Sequence, residues 1–453
     1  MCSAINNYLC MGKTIQAISI VELLFLSILK FILLKTSICV LLLSVLWCSC
    51  NFSSGSKTAA QPAAAVVYAP PLKKLKPEEY NYYSQIAKDF FEKHLLRSNF
   101  NGEILIAKNG NIVYEKYVGY RDLRKKDPLT EHTPLHIASV SKTFTAMAIL
   151  RLVQEKKLSL EDSLTKFFPG LPYPGITIKM LLSHRSGLPN YVHFIPNSKW
   201  NEDSMVMNND VVNFLYNKQP AKSSPPGKAF SYSNTNFVLL AMIVEKISGQ
   251  PFPEYMKQKI FDPLQMKDTY IFTLADSIRE TPTFNYDGSF WQHDFLEGTY
   301  GDKNVYTTVR DLLKWDQALY TDSLINRTLL DSAFTPYSFE HRSTHNYGLG
   351  WRLLIKPGQP KIIYHFGRWH GCNAAFARLT ADSATIIILG NRYNRNIYTS
   401  AHDAYSLFGS YEQFQNGDEE EADNTASPAT AVKPVAKTKK IIHRKSSKSK
   451  RRR

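Results

Sequence analysis

The sequence predicts an α/β protein in which one antiparallel sheet, built from both chain ends, is flanked by helices and carries an inserted, mainly helical lobe. Strand-like segments occur at 103–120 and at 373–391, whereas 139–335 between them is mostly helical in pattern. Strands this far apart share one core if they meet in one sheet that the helices cover. The 453 residues, 44% of them hydrophobic, can bury a large core, which excludes a mainly disordered chain.

Each element of this sheet follows from a local pattern. A helix is predicted over 79–97. The segment 103–120 holds two β-rich runs around the Asn-Gly pair at 109–110, which is typical of a type I′ hairpin turn. The segment 373–391 holds a second pair of strands, and a short helix is predicted at about 398–409.

Composition divides the chain into four regions. Residues 1–50 are apolar and read as a signal peptide or membrane anchor, and 51–78 form a Ser/Ala/Pro-rich flexible tether. The folded body is expected over 79–410. The tail 411–453 has too few apolar residues to fold.

The leader places the body outside the cytoplasm. From Lys35 it shows a positive charge, an apolar stretch and then small residues with Cys50 at the end, which is the organisation of a signal peptide. Ser49-Cys50 resembles the acylation site of a bacterial lipoprotein, although Trp47 departs from that pattern. An uncleaved anchor, for which 16–34 is almost long enough, and plain secretion are the alternatives. We therefore expect a membrane-tethered protein of the bacterial cell envelope.

The net charge of +16 resides mostly in the tail. Eleven Lys or Arg and no acid lie between Lys433 and Arg453, after an acidic cluster at Asp418–Asp423, and without them the net charge is about +5. Nucleic-acid binding by this basic run is disfavoured by the leader and by the lack of interleaved aromatics. The run either holds the protein against anionic lipid or cell-wall polymers or is a solvated tail.

Cysteine and histidine usage predicts neither disulfides nor a metal in the body. Five of six Cys lie in the leader, and Cys372 alone is in the body, where we expect an inert buried thiol. The twelve His form no H-E-x-x-H or similar ligand spacing, and we expect no cofactor.

The first candidate catalytic motif is Ser139-x-x-Lys142. Ser139 precedes a predicted amphipathic helix, and at the start of a helix residues three apart share a face. A serine hydroxyl needs an adjacent base, which a lysine provides when part of its population is neutral. The N–H groups of the helix N-terminus would favour an oxyanion. Alone the motif is weak, since the chain holds four other S-x-x-K matches.

Two further motifs follow in order. Tyr232-Ser233-Asn234 lies in a polar turn before an apolar helix, where a tyrosine near a lysine can move protons and an asparagine amide can bind a carbonyl. A helix cap is the structural alternative for this turn. His365 and Gly367 end a β-rich run, and a glycine there permits close backbone approach.

Together, the three motifs resemble the active-site set of the serine β-lactamase and penicillin-binding-protein superfamily. The Tyr-x-Asn variant is similar to the class C β-lactamase-like branch, which includes D,D-peptidases, D-amino-acid peptidases and esterases. The resemblance covers about 80–410. Further stretches that resemble this branch are 176–191, 226–269, 301–319 and 347–353.

The resemblance implies a role for each motif residue. Ser139 would be the acylated nucleophile and Lys142 its base. Tyr232 would be the second proton-transfer group, and Asn234 would orient the substrate. The N–H groups of Ser139 and Arg368 would form the oxyanion hole.

The third motif departs from the family pattern. His365 stands where a lysine usually helps to hold a substrate carboxylate, and histidine is largely neutral at pH 7. Gly367 matches the motif's glycine. Arg368, Trp369 and His370 replace the usual small residues: Arg368 would restore the missing charge if it points inward, and Trp369 would narrow the site.

These observations favour an exported serine hydrolase that acts on a peptide, amide or ester through an acyl-enzyme and has at most weak β-lactamase activity. The substrate would be a small molecule or a peptide, and the cell wall is one source of such material. The alternative is a non-catalytic binding protein on the same fold. One site chemistry serves several acyl donors, so the motifs leave the substrate open.

We expect the tail to be dispensable for catalysis, because its composition cannot contribute to a core. Truncation after residue 410 should leave folding and hydrolysis unchanged, as measured by circular dichroism and turnover. Loss of either would contradict this.

We also expect Cys50 to be the lipidated N-terminus of the mature protein. The expressed protein should partition into the detergent phase, and Cys50→Ser should stop its maturation. Normal processing of this variant would mean that another feature anchors the chain.

Overall fold

The computed structural model describes residues 73–411, and the leader with Cys50, the tether before Lys73 and the tail after Tyr411 lie outside this range. The main feature is a seven-stranded sheet in the order β2-β1-β12-β11-β10-β9-β8. Within the described range no helix has the length and apolarity needed to cross a membrane. The strands of this sheet are β1 (Gly102–Lys108), β2 (Asn111–Val118), β8 (His345–Tyr347), β9 (Arg352–Leu354), β10 (Ile362–Trp369), β11 (Cys372–Leu379) and β12 (Ala384–Gly390).

The predicted antiparallel sheet from both chain ends is confirmed. β1 pairs with β12 in antiparallel register, with Ile104 opposite Ile388. The β1–β2 turn has Asn109 and Gly110 both at positive φ, +49° and +71°, as a type I′ turn requires.

Alternation along the strands separates two cores on the two faces of the sheet. In β12, Ile386 and Ile388 pack with the terminal helices, while Ile387 and Leu389 pack with the helical lobe. Successive side chains of a strand point to opposite faces, which explains why these central strands are apolar throughout.

The helices cover both faces. The first and last helices pack on one face, and the others form the inserted lobe on the opposite face, which also contains short strands. The helices are α1 (Pro77–His94), α2 (Ser141–Gln154), α3 (Leu164–Phe167), α4 (Ile178–Leu182), α5 (Tyr191–Phe194), α6 (Asn208–Asn217), α7 (Asn234–Ser248), α8 (Phe252–Met256), α9 (Val309–Ala318), α10 (Arg327–Ala333) and α11 (Asn396–Asp403). The remaining strands are β3 (Tyr120–Asp122), β4 (Asp127–Pro128), β5 (Leu135–His136), β6 (Tyr270–Ile271) and β7 (Val305–Thr307).

The helix after Ser139 differs from its prediction as amphipathic. Eleven of the fourteen residues of α2 are buried, including Lys142, Thr143 and Thr145. The helix lies between sheet and lobe, so it has no solvent face. Its polar side chains must therefore find partners inside the protein.

Tyr411 belongs to the folded body. Its ring is buried in the core of the terminal helices, and its hydroxyl donates to the Asp382 carboxylate. A comparison of truncations after residues 410 and 411 therefore separates loss of this packing from loss of the tail.

Candidate active site

Ser139 lies in a short 3-10 turn, Ala138–Val140, that leads into α2. Its side chain is partly exposed between two buried neighbours. Ala138, the residue before it, has a φ of +46°, in the left-handed region that residues with a Cβ rarely adopt. Such local strain persists where the surrounding structure fixes the backbone, and it is concentrated at functional sites.

Lys142 is fully buried and directed at Ser139. Its Nζ lies 3.0 Å from Ser139 Oγ and donates to the carbonyl oxygen of Asp302 at 2.7 Å. The rings of Tyr232 and Phe237 lie 5.0 and 5.7 Å from the same nitrogen. The structure therefore places the predicted base within hydrogen-bond distance of the predicted nucleophile.

The loop before β7 holds Lys142 from the opposite side. The Asp302 carboxylate accepts from the Tyr191 hydroxyl at 2.8 Å, which fixes the residue whose carbonyl accepts from Lys142 Nζ. The next carbonyl toward the N-terminus, that of Gly301, accepts from Thr145 Oγ1 of α2 at 2.7 Å. Gly301 has a φ of +98°, a conformation that glycine adopts without steric cost.

Tyr232 reaches the nucleophile from another side. Its hydroxyl donates to Ser139 Oγ at 3.0 Å, and its ring packs on the imidazole of His184 with 4.2 Å between centroids. His184 Nδ1 accepts from the N–H of Ser233 at 3.2 Å, so in the neutral ring the proton is on Nε2. Burial, and then the charge of Lys142, hold the pKa of His184 well below its usual range.

Asn234 is the first residue of α7 and is buried beside this turn. Its backbone N–H donates to Asn190 Oδ1 at 3.1 Å. No described residue hydrogen-bonds the side-chain amide of Asn234, so the amide has its full capacity for a substrate carbonyl.

His365 is fully buried on β10. Its Nδ1 donates to the carbonyl of Phe366 at 2.7 Å, so Nε2 is the acceptor for the Tyr347 hydroxyl at 3.1 Å. Burial lowers the pKa of His365 well below its usual range, and the positive charges of Arg352 and Lys142 add to this. The imidazole is therefore neutral at pH 7.

Gly367 lets β10 approach the nucleophile. A Cβ at this position would lie 2.3 Å from the carbonyl oxygen of Ile137 and 3.0 Å from the backbone nitrogen of Ser139. No larger residue fits without moving the turn that carries Ser139. The backbones assigned to the oxyanion hole, those of Ser139 and Arg368, are thus brought side by side.

Two large side chains follow Gly367 on β10, and each of them packs against another part of the protein. The Arg368 guanidinium packs over the Tyr393 ring at 5.2 Å. The indole of Trp369 is largely buried, and its Nε1 donates to the Glu297 carboxylate at 3.0 Å, with Lys303 Nζ 4.6 Å from its ring. Trp369 is thus held by the protein's own core.

A nearby cluster of three side chains has the composition of a metal site. Ligand atoms of Asp294, Glu297 and His370 lie within 4.8 Å of one another. Burial would raise the pKa of Glu297, but His370 and other positive neighbours lower it to about 2. His370 Nε2 lies 2.5 Å from Glu297 Oε1, so this carboxylate oxygen already contacts a side chain of the protein.

Cys372 is buried, as the sequence predicts. Its thiol donates to the His136 carbonyl, and burial raises its pKa. A thiol that remains protonated is a poor nucleophile.

Sequence reasoning did not identify three of the residues around Ser139. Each lies in one of the longer stretches that resemble the family, but no short motif marks any of them. They are His184 under Tyr232, Asp302 beside Lys142, and Arg352, whose guanidinium lies 5.5 Å from the Tyr232 ring.

Comparison with known proteins identifies the family to which this chain belongs. The family model described as Beta-lactamase matches residues 99–406. The chain is 32% identical over 343 residues to "Penicillin-binding protein 4*" of Bacillus subtilis, covering 72% of this chain and 75% of that protein. It is 26% identical over 385 residues to "Putative penicillin-binding protein PbpX" of the same organism, covering 81% and 90%.

Solved structures agree with this comparison. A penicillin binding protein from Bacillus halodurans has a TM-score of 0.62 at 26% identity and covers 72% of this chain and 99% of its own. A D-amino acid amidase from Ochrobactrum anthropi SV3, complexed with D-phenylalanine, has a TM-score of 0.60 at 23% identity and covers 73% and 98%. The second likeness concerns the fold alone.

We expect Ser139 to form a covalent adduct, because two proton-transfer groups contact its hydroxyl. Intact-mass analysis after a fluorophosphonate or a β-lactam should show one adduct, which Ser139→Ala abolishes. Ser141→Ala is the matched control, since the Ser141 hydroxyl is buried and accepts from the Val305 N–H. Labelling that survives Ser139→Ala would exclude Ser139 as the nucleophile.

Acid should destabilise the protein through His365. Its folded-state pKa lies below the unfolded value of about 6.5, so only the unfolded chain binds a proton as the pH falls below that value. Protonation of the unfolded chain therefore lowers the free energy of unfolding progressively as the pH falls below about 6.5. Between about pH 6.5 and 5.5 the wild type should lose about 1 kcal/mol more unfolding free energy than His365→Asn. Urea unfolding at both pH values measures this, and equal losses would contradict it.

Proposed function

The chain belongs to the β-lactamase family and is a serine hydrolase, and on that premise we propose that it is an exported enzyme that cleaves a peptide, amide or ester through an acyl-enzyme on Ser139. One observation carries the proposal: Ser139 Oγ lies 3.0 Å from both Lys142 Nζ and the Tyr232 hydroxyl. A binding protein without catalysis would not need this convergence, so the geometry disfavours that alternative.

In the proposed mechanism, proton transfer and carbonyl polarisation occur on opposite sides of Ser139. Lys142, with Tyr232, removes the hydroxyl proton as Oγ attacks the substrate carbonyl. The backbone N–H groups of Ser139 and Arg368 stabilise the oxyanion. Tyr232 then returns the proton to the leaving group, and water releases the acyl group by the reverse sequence.

The neutral His365 supports a substrate other than a β-lactam. At the third-motif position a neutral imidazole that accepts from Tyr347 offers no cation to a carboxylate beside the scissile bond. The likeness in fold to a D-amino acid amidase fits an amide substrate. We therefore propose D-amino-acid peptidase, amidase or esterase activity, with slow β-lactam turnover.

We further propose that the enzyme is a lipoprotein tethered at the cell envelope and acts on cell-wall-derived material. The leader ending at Cys50 and the Ser/Ala/Pro-rich tether support the location. Two relatives named as penicillin-binding proteins support the class of substrate.

We expect a cephalosporin to be a poorer substrate than a simple ester or a D-amino-acid amide. Loss of one charge-assisted hydrogen bond costs about 1.5–3 kcal/mol, which is roughly ten- to a hundredfold in rate. The measurement is kcat/KM for the three substrates, with Ser139→Ala as the blank. If the cephalosporin is preferred by more than about tenfold, the protein is a β-lactamase and His365 has not removed carboxylate recognition.

A further inference from the structure

His184 lies directly behind the tyrosine that contacts the nucleophile, and the proposed chemistry gives it no role. Its side chain is fully buried. The Tyr232 ring packs on its imidazole with 4.2 Å between the ring centres. The hydroxyl of that tyrosine donates to Ser139 Oγ at 3.0 Å, so a single side chain separates His184 from the reacting oxygen.

His184 also holds the backbone on both sides of Tyr232. Its carbonyl oxygen accepts from the N–H of Ser231 at 2.8 Å. Its Nδ1 accepts from the N–H of Ser233 at 3.2 Å. One residue thus contacts three consecutive residues of this turn. Because the backbone is fixed before and after Tyr232 and the ring packs on the imidazole, His184 determines where the Tyr232 hydroxyl points.

The imidazole is itself held in one orientation and in its neutral form. Asn236 Nδ2 donates to His184 Nδ1 at 3.1 Å, and Asn236 Oδ1 accepts from the Ser186 hydroxyl at 2.7 Å. Burial, and then the charge of Lys142, hold the pKa of His184 well below its usual range. Nδ1 therefore keeps the lone pair that the Ser233 N–H requires.

The backbone of His184 shows that a histidine is unusual at this position. At the end of α4 the N–H of His184 donates to the Leu181 carbonyl at 3.2 Å. The next N–H, that of Arg185, donates to the Met180 carbonyl at 2.8 Å, which completes a Schellman motif. The left-handed residue of this motif is usually glycine, and His184 has a φ of +53°.

The side chain also leaves a polar atom unpaired. Among the described residues, none accepts a hydrogen bond from the buried His184 Nε2, and such an atom is costly inside a protein. A glycine would remove the backbone strain, and a phenylalanine would remove the unpaired nitrogen. What the imidazole adds over both is an acceptor for Ser233 combined with a ring beneath Tyr232.

We infer that His184 is a positioning residue for the proposed hydrolysis, which holds the Tyr232 hydroxyl against Ser139 so that Tyr232 can transfer the proton. His184 does not touch the reacting atoms and acts only through Tyr232. Placement matters because a displacement of about 1 Å can cost about a hundredfold in rate. The inference rests on the proposed hydrolase function.

A double-mutant cycle with Tyr232→Phe tests this role. His184→Asn loses the ring, and it should lower kcat for p-nitrophenyl butyrate by about ten- to a hundredfold while KM stays within about threefold. In the Tyr232→Phe background the same substitution should lower kcat by less than about threefold, because no hydroxyl is left to misplace. An equal loss in both backgrounds, or no loss in the wild type, would overturn the inference.

A control variant and a second measurement accompany the cycle. His402 is also largely buried, but it packs on Phe366 in the core on the other face of the sheet. Any effect of His402→Asn on kcat should be the same with and without the Tyr232 hydroxyl, as expected for separate sites. The rate constant for labelling of Ser139 by a fluorophosphonate gives the same cycle without substrate turnover.

Two further variants apply if His184→Asn does not fold. His184→Phe keeps a ring beneath Tyr232 and removes the acceptor for Ser233. Asn236→Leu leaves the imidazole in place and removes its second donor. Each should lower kcat less than the loss of the ring does, and each loss should disappear in the Tyr232→Phe background. A loss that persists there contradicts the inference.

The remaining outcomes separate this inference from the proposed function. A Tyr232→Phe variant with the kcat of the wild type would remove Tyr232 as a proton-transfer group, and with it the role of His184. A wild type that labels at Ser139 but gives independent losses in the cycle overturns only the role of His184. A wild type that neither labels nor hydrolyses the ester overturns the proposed function as well.

Discussion

The side-chain nitrogen of Lys142 is fully buried, and the position of this base depends on the structure around it. A buried polar group is costly unless hydrogen bonds replace its hydration. Here the Asp302 carbonyl, the Ser139 hydroxyl and two aromatic faces do so. The carbonyl is held in turn by the Tyr191–Asp302 contact, so the base, the loop and the lobe form one cooperative unit. A change in any one of them alters the position of the proton acceptor.

The chain ends were predictable because their signals are local. The Asn-Gly turn at 109–110 specifies its own φ angles, and the β-rich runs within 373–391 indicate strands from their own residues. The amphipathic assignment of α2 was wrong because a helix enclosed by both a sheet and a lobe carries polar residues for internal contacts. A hydrophobic periodicity in a sequence indicates a helix with one solvent-exposed face, whereas most of α2 is buried on all sides.

The active-site residues also divide into those with a local signal in the sequence and those that depend on contacts between distant segments. Ser139 and Lys142 are three residues apart on one turn, so their proximity could be deduced from helix geometry. Tyr232 and His365 reach the site through pairings of distant segments, and only a family resemblance placed them there. Asp302 contributes a main-chain carbonyl, which every residue has, and Arg352 lies at the start of the short strand β9. Neither kind of contribution leaves a distinctive residue type at a fixed spacing.

Both ends of the described body pack on the same face of the sheet. Ala87 and Phe91 of α1 and Phe408 near the end belong to the core of the terminal helices, and the Tyr83 and Phe408 rings stack at 5.5 Å. His365, whose strand neighbours join that core, points to the opposite face, toward Ser139. A solid support or fusion partner joined near residue 73 or residue 411 would therefore attach on the face of the sheet opposite to Ser139. Immobilised in this way, the enzyme would present its reactive side to a bulky polymer without obstruction.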